Sequence, residues 1–425
     1  MNQSHPFSKY YKKTVPERIK AFKDAGVLQD AISVDLAPDV ANSMIENQIA
    51  TYQLPYGVAP HFLIDGEEFV VPMVIEEPSV IAAASSSAKL FKEFGGFQTA
   101  VTDRIMIGQA ILTNVPDIKK AIQTIEENET TLIQTAHEAH PSIVRRGGGV
   151  DSIRVREVAA DAEIASPDFL IVHLNINTLE AMGANMTNTM MEAVLPLLED
   201  YSGGEALMGI LSNYATECLA TATCRIPASA LAKGNMTGED VRDRLILASQ
   251  VAYVDPYRAV THNKGIMNGI DAVVVASGND WRAISAGIHA YAARSGQYRS
   301  LSRWQKAENG DLLGELTVPL PVGAVGGSIS FHPGAKLTHH LLGSPNAEKL
   351  EAIIASVGLA QNFSAMRALV TDGIQKGHMG LQSRSLAITA GAKDEEIEYV
   401  SKQLNKSKQM NLTTAKDILA QLRNE

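Results

Sequence analysis

The stretch from Ile105 to Leu211 changes hydrophobic period in an order that few folds satisfy. Ile105–Leu112 reads as a strand and Asp117–Glu138 as a helix. Gly147–Gly149 is a glycine break, Ser152–Val158 and Phe169–Ile176 read as strands, Ala181–Asp200 as a helix and Glu205–Leu211 as a last strand. This β-α-β-β-α-β order is the split βαβ, or ferredoxin-like, arrangement. It predicts a small domain over 108–215, inserted into a larger mixed α/β domain made of 1–107 and 216–372. From Gly373 onward the chain reads as helical and charged, which makes 373–425 a separate tail. Gly373, Gly377 and Gly380 give that tail places to hinge. The expected class is α+β, and 425 residues suit two or three domains.

Outside the insert the signals are shorter. Residues 14–26 and 38–50 read as helices, Tyr52–Ala59 as a strand and turn, and Phe69–Ile75 as a strand. A helix that starts at Pro78 is expected, with Val80, Ile81, Ala84, Ala88 and Phe91 near helical spacing, and a long one over Gly238–Val254. The uncharged run Leu316–Ala335 has the length of a membrane span. Its prolines at 319, 321 and 333 and glycines at 323, 326, 327 and 334 fit a packed strand–turn–strand instead.

The net charge of −10 argues against a nucleic-acid binder, while leaving room for a local basic pocket that takes an anionic small ligand. Cys218 and Cys224 form no CxxC, disulfide framework or zinc signature, so no metal is expected and a reducing cytoplasm fits. Residues Met1–Lys20 lack the apolar stretch of a signal peptide.

No G-x-G-x-x-G follows a strand, and neither a P-loop nor G-x-S-x-G occurs. Four ionisable residues stand out by context. Glu77 precedes a helix, Lys264 lies in Thr261–Ile266, Asp280 follows Gly278–Asn279, and His378 sits between two glycines. Taken singly, each has an ordinary explanation: a helix-dipole carboxylate, a surface lysine, an N-cap and a loop histidine. Glu180–Asn185 opens the second helix of the insert, where free N–H groups and the dipole favour phosphate and Gly183 permits close approach. Met182, Met186, Met190 and Met191 read better as core filler, the usual role of a methionine cluster.

Taken together these segments resemble the 3-hydroxy-3-methylglutaryl-CoA reductases. The matching stretches are ENQIATYQLPYGVA at 46–59, EEPSVIAAAS at 76–85, EAMGAN at 180–185, DPYRAVTHNKGIMNG at 255–269, GNDWRA at 278–283, PVGAVGG at 321–327 and GHM at 377–379. They follow the family's order along nearly the whole chain. The length and the lack of an anchor resemble the class II branch, found mainly in bacteria.

The resemblance implies the roles. Glu77 corresponds to the catalytic glutamate, and Lys264 to the lysine that polarises the thioester or aldehyde oxygen. Asp280 corresponds to the aspartate bridging those two, and His378 to the histidine that protonates the departing coenzyme A thiolate. Glu180, Met182, Gly183, Ala184 and Asn185, with Asn188 in the same helix, correspond to the cofactor motif. Ser79, Asn213, Arg258 and Asn268 correspond to the residues around the hydroxymethylglutaryl group. The insert becomes the nicotinamide domain, the larger part the coenzyme A and substrate domain, and the tail a flap. The family's active site lies at a dimer interface, so a homodimer is implied, with 3-hydroxy-3-methylglutaryl-CoA, mevalonate and coenzyme A as small-molecule partners.

Two departures stand out. The cofactor motif usually opens with aspartate, and here it opens with Glu180. NAD-using relatives carry an acidic residue shortly before the glycine run, where this chain has His140, with Arg145 and Arg146 close by. Cations there favour a 2′-phosphate, hence NADPH over NADH and the biosynthetic direction. The NAD-dependent oxidation of mevalonate and a coenzyme A-binding protein without turnover are the competing readings.

Overall fold

The computed structural model describes residues 6–28, 34–407 and 409–424, and of residues 374–381 the backbone alone. Among the described residues ten strands form two sheets: β1 (Tyr56–Ile64), β2 (Glu67–Val74), β3 (Phe97–Val101), β4 (Ile105–Thr113), β5 (Gly149–Val158), β6 (Phe169–Asn177), β7 (Glu205–Ser212), β8 (Leu219–Ile226), β9 (Ser302–Lys306) and β10 (Leu312–Pro319).

The six-stranded sheet has the order β2-β1-β3-β8-β10-β9. Its pairs are antiparallel except β1 and β3, which meet in parallel at Ile64 and Phe97. The β1–β2 hairpin turns on Asp65 and Gly66, both at positive φ (50° and 82°), the conformation that makes Asp-Gly a hairpin signal. The Asp65 carboxylate also accepts from the Thr99 N–H at 2.8 Å, which ties the turn to β3. Phe62, Phe91, Phe97, Trp304 and Phe363 fill the core beside this sheet, with Phe91 and Phe363 edge to face at 4.8 Å.

Helix Ala347–Val370 runs through that core and packs on helices Pro256–Ala276 and Val80–Lys92. Among the described residues it alone has the length and hydropathy of a membrane span, and two thirds of its apolar window is buried in protein. It is a core helix.

The four-stranded sheet is antiparallel with the order β5-β6-β4-β7, which is the split βαβ order expected of this stretch. It has its own core, in which Leu112, Leu132, Ile143, Met190, Met191 and Leu198 are buried. Met186, Met190 and Met191 are thus core residues, while Met182 is half-buried. Gly108 of β4 faces this cluster. A Cβ there would lie 2.4 Å from Met191 Sδ.

Three expectations need correction. The single helix over Asp117–Glu138 is two, Ile118–Glu127 and Glu129–Ala139, because Asn128 leaves helical backbone and turns its amide onto Thr124 O at 2.8 Å. Pro78 is not inside its helix, which starts at Val80 behind Ser79. The run Leu316–Ala335 is not strand–turn–strand. β10 ends at Pro319, a 3-10 turn spans Gly327–Ser330, and a helix starts at Pro333. With prolines at 319 and 321 lacking N–H groups, no second ladder is built. One bridge, Ala181 to Val325, is all that pairs there among the described residues. Beyond Gly373 the helices Ile374–Thr389, Glu395–Leu404 and Leu412–Asn424 share a small core of Ala387, Val400, Leu404, Ala415 and Leu419.

Candidate active site

Glu77 stands in the connection between β2 and helix Val80–Lys92. Lys264 and Asn268 are four residues apart on helix Pro256–Ala276, so they share one face. The structure joins the three: Lys264 Nζ donates to Glu77 Oε2 at 2.6 Å, and Asn268 Nδ2 to Glu77 Oε1 at 3.4 Å. The side chains of Lys264 and Glu77 are 58% and 35% exposed. An ion pair that open is worth about 0.2–1 kcal/mol, too little to explain it as scaffold. Its chemical capacity is larger: an ammonium beside a carboxylate, reachable from solvent, polarises a carbonyl oxygen and passes a proton. Ser79 lies two residues on, with φ 77°. Such strain in a non-glycine residue persists where surrounding structure enforces it, often at functional sites.

Arg258 occupies the first turn of the same helix, half-buried, and its guanidinium makes no hydrogen bond or ion pair with a described residue. Burial lowers its pKa. A partly desolvated cation without a counter-ion suits an anionic ligand. His262, one turn on, points the other way into the core. There it meets Ser302 Oγ at 2.6 Å, and burial, helped by Arg258, pulls its pKa down to about 3. It is a neutral core group.

Asp280 sits beyond the other end of this helix. Its carboxylate caps helix Trp281–Ala292, accepting from the N–H groups of Arg282 (3.0 Å) and Ala283 (3.1 Å), with Arg282 Nε at 3.3 Å. Partial burial pushes the carboxyl up, but these hydrogen bonds together with the Arg282 charge outweigh it and hold it below the usual range. At 1.5 Å per residue, Lys264 and Ala276 are about 18 Å apart along the axis. Within one chain Asp280 therefore forms no hydrogen bond with Glu77 or Lys264. Its neighbour Asn279 brackets Gly323, donating to its carbonyl at 3.0 Å and accepting from its N–H at 2.7 Å. Ala324 N–H in turn donates to Glu180 O at 2.8 Å. Asp280 thus belongs beside the Glu180–Asn185 and Pro321–Gly327 loops. Asn213 is exposed just past β7, its carbonyl laid on Gly287, where a Cβ would come within 2.5 Å.

In the Glu180 loop, Gly183 has φ 87° and precedes helix Ala184–Ser202, whose first turn receives no side-chain cap. A Cβ on Gly183 would lie 2.5 Å from Thr178 Cγ2. Uncapped N–H groups and a close-approach glycine are what a dinucleotide phosphate requires. Asn185 is exposed at this end. Asn188 uses its Oδ1 to accept from Leu211 N–H at 2.9 Å, tying the helix to β7. Glu180 turns its carboxylate away from the loop: Oε2 accepts from Ala347 N–H at 2.8 Å, capping the core helix. The longer side chain reaches that helix start. Arg104, which no sequence pattern singled out, donates to Leu179 O, Ala181 O and Val322 O around this loop.

β5 pairs with β6 at Gly149 and Asn177, which brings the glycine run beside the same loop. A Cβ on Gly148 would be 2.7 Å from Asn177 O and 3.0 Å from Leu179 Cγ. Arg145 and Arg146 are exposed just ahead of that run. Arg146 Nε donates to Ser142 O at 3.2 Å, and His140 Nδ1 lies 3.3 Å from Ser142 Oγ. The backbone at His378 is in helix Ile374–Thr389, and its side chain lies outside the described residues.

The family described as hydroxymethylglutaryl-coenzyme A reductase matches residues 14–383. The 3-hydroxy-3-methylglutaryl-coenzyme A reductase of Archaeoglobus fulgidus is 42% identical over 419 residues, covering 97% of this chain and 94% of the relative. The solved 3-hydroxy-3-methylglutaryl-coenzyme A reductase of Streptococcus pneumoniae superposes with a TM-score of 0.82 at 46% identity, over 98% of this chain and 99% of that one. A second structure, the class II enzyme from Streptococcus pneumoniae bound to NADPH in open conformations, gives a TM-score of 0.81 at 47% identity, over 97% and 100%. The chain belongs to the hydroxymethylglutaryl-coenzyme A reductase family, an oxidoreductase family, and is similar in structure to its class II members.

Proposed function

We propose that this chain reduces 3-hydroxy-3-methylglutaryl-CoA to mevalonate and coenzyme A, in the biosynthetic direction and in the cytoplasm. The observation that carries the reading is the open pair of Lys264 and Glu77 with Asn268 beside it. Reduced nicotinamide, when bound, supplies the two hydrides. The chain supplies the rest. Lys264 stabilises the negative charge that builds on the carbonyl oxygen, first of the thioester and then of the aldehyde. Glu77 passes a proton to that oxygen, and Asn268 holds Glu77 in place. Arg258 takes an anionic group of the substrate, with Ser79 and Asn213 nearby in role. His378 protonates the departing thiolate, and the 373–425 flap carries it into position.

The 108–215 domain holds the dinucleotide at Glu180–Asn185 with Asn188 supporting, and 1–107 with 216–372 holds the acyl-CoA. Asp280 and the Glu180 loop lie at one end of helix Pro256–Ala276 and Lys264 nearer its middle. A complete site therefore takes its halves from two copies of the chain, which makes the working unit a homodimer with active sites at its interface. Exposed Arg145 and Arg146, with His140 in place of an acid, favour the 2′-phosphate of NADPH.

The test is loss of reduced-nicotinamide absorbance with 3-hydroxy-3-methylglutaryl-CoA, run with NADPH and with NADH. Two cofactors oxidised per coenzyme A released, faster with NADPH, is the expected result. Faster turnover of mevalonate with NAD would favour the oxidative direction. Lys264→Ala should abolish both half-reactions in a folded dimer, and near-normal turnover would remove the lysine from its role.

A further inference from the structure

Arg104 and Glu351 form an ion pair through Arg104 Nη1 and Glu351 Oε1, with side chains 5% and 0% exposed. Arg104 lies between β3 and β4, where the chain leaves one sheet for the other, and Glu351 lies in the first turns of core helix Ala347–Val370. The pair is poorly provided for as a stabilising device. Glu351 Oε2 is buried without a hydrogen-bond partner, and Oε1 has Cys218 Sγ at 3.5 Å besides the arginine. Burying two charges costs several kcal/mol each, and such pairs often add no net stability.

What the pair does achieve is geometric. The guanidinium fork donates to three carbonyls: Leu179 and Ala181 in the loop ahead of Gly183, and Val322 in the facing Pro321–Gly327 loop. Leu179 is itself at φ 54°, an unfavourable conformation that needs outside support. The same loop is tied to the core helix a second time by Glu180 Oε2 on Ala347 N–H, one turn from Glu351. Only a planar, multi-donor cation spans three acceptors from two loops and a carboxylate at once.

We propose that Arg104, held by Glu351, is the positioning residue of the dinucleotide loop: it sets the path from Leu179 to Gly183 and thereby the aim of the first N–H groups of helix Ala184–Ser202. The inference rests on the cofactor assignment made above. Arg104 touches no cofactor atom. It acts through the backbone it holds, and its loss should be felt in dinucleotide affinity far more than in acyl-CoA affinity.

The experiment uses the full chain, with NADPH binding followed by its fluorescence and KM measured for NADPH and for the acyl-CoA. Arg104→Lys keeps the charge but not the fork. Losing one or two charge-assisted hydrogen bonds should raise the NADPH Kd and KM by about tenfold or more, with the acyl-CoA KM moved less than twofold. Arg104→Met with Glu351→Leu removes the buried charges together, which buried pairs commonly tolerate, and should give a folded protein with the same NADPH defect. Unchanged NADPH affinity in either folded variant overturns the inference, as does an equal loss for both substrates. Wild-type protein that binds no NADPH overturns the cofactor assignment and this inference with it. Normal wild-type binding beside unaffected variants overturns this inference alone.

Discussion

Gly183→Ala isolates the loop that opens helix Ala184–Ser202. Two costs are built into the position. A residue with a Cβ at φ 87° pays about 1–2 kcal/mol for the left-handed conformation. The added Cβ would stand 2.5 Å from Thr178 Cγ2, and Thr178 is only 1% exposed, so it has no room to swing aside. Overpacking of this kind costs about 1–3 kcal/mol, which puts the sum at about 2–5 kcal/mol. Thr178→Ser removes the offending methyl and keeps the hydroxyl. In the double variant most of the second cost should go, with only the 3.0 Å approach to the Cβ of residue 178 left, while the first remains. Urea denaturation of wild type, both single variants and the double variant gives the coupling energy, expected at about 1–3 kcal/mol in the rescuing direction. NADPH affinity should fall in Gly183→Ala and stay low in the double variant, because serine at 178 does nothing for φ at 183. Costs that simply add, within about 0.5 kcal/mol, would refute the clash as the reason glycine is needed.

Burial raises the Asp271 carboxyl to about 6 from 3.8, so any stability it contributes is complete below its unfolded value and is lost as pH rises through 6. A shift of about 2 units is about 3 kcal/mol, discounted to about 1–2 kcal/mol for its partial solvent contact. Asp271→Asn should therefore stabilise the protein at pH 7.5 and not at pH 4, read from denaturation midpoints, and a pH-independent gain would refute this. His140→Asp should move the NADPH to NADH preference toward NADH in kcat/KM, and an unmoved ratio counts against a role for that turn in cofactor choice. Ending the chain at Gly373 should leave NADPH binding intact and reduce acyl-CoA turnover by about 100-fold or more, the contribution of one general acid. Unchanged turnover would remove His378 from the reaction.

The small sheet was legible because its strands are long and its apolar residues alternate or cluster with ordinary periods. β8 was not. Its inward positions are Ala220, Ala222, Cys224 and Ile226, and alanine alternating with threonine carries little hydrophobic contrast. β3 is five residues long and pairs with β8, over a hundred residues away, so nothing local announces it. The candidate site was legible where its residues lie in short, distinctive segments. Lys264 and Asn268 both reach Glu77, three residues that the resemblance had singled out from distant segments. Asp280 does not join them within one chain, because about 18 Å of helix separates Lys264 from Ala276. Arg104 left no sequence signal at all: its partners are three backbone carbonyls and a glutamate 75 to 247 residues away.

Helix Pro256–Ala276 has to hold its rotation as well as its position, since a third of a turn would carry Lys264 away from Glu77. The opposite face supplies that constraint in polar form. Asn263 donates to Arg299 O at 2.9 Å and accepts from Leu301 N–H at 3.0 Å, both fixed backbone groups ahead of β9. His262 meets Ser302, and Asn362 of the core helix binds Trp304 Nε1 at 2.7 Å and lies 3.1 Å from His262. Apolar packing by Ile266, Met267 and Ile270 would tolerate a small rotation, because dispersion contacts are not directional. Hydrogen bonds weaken steeply once misaligned. The buried His262–Asn263 face therefore sets the phase of the helix, and the exposed face of Lys264 and Asn268 inherits it.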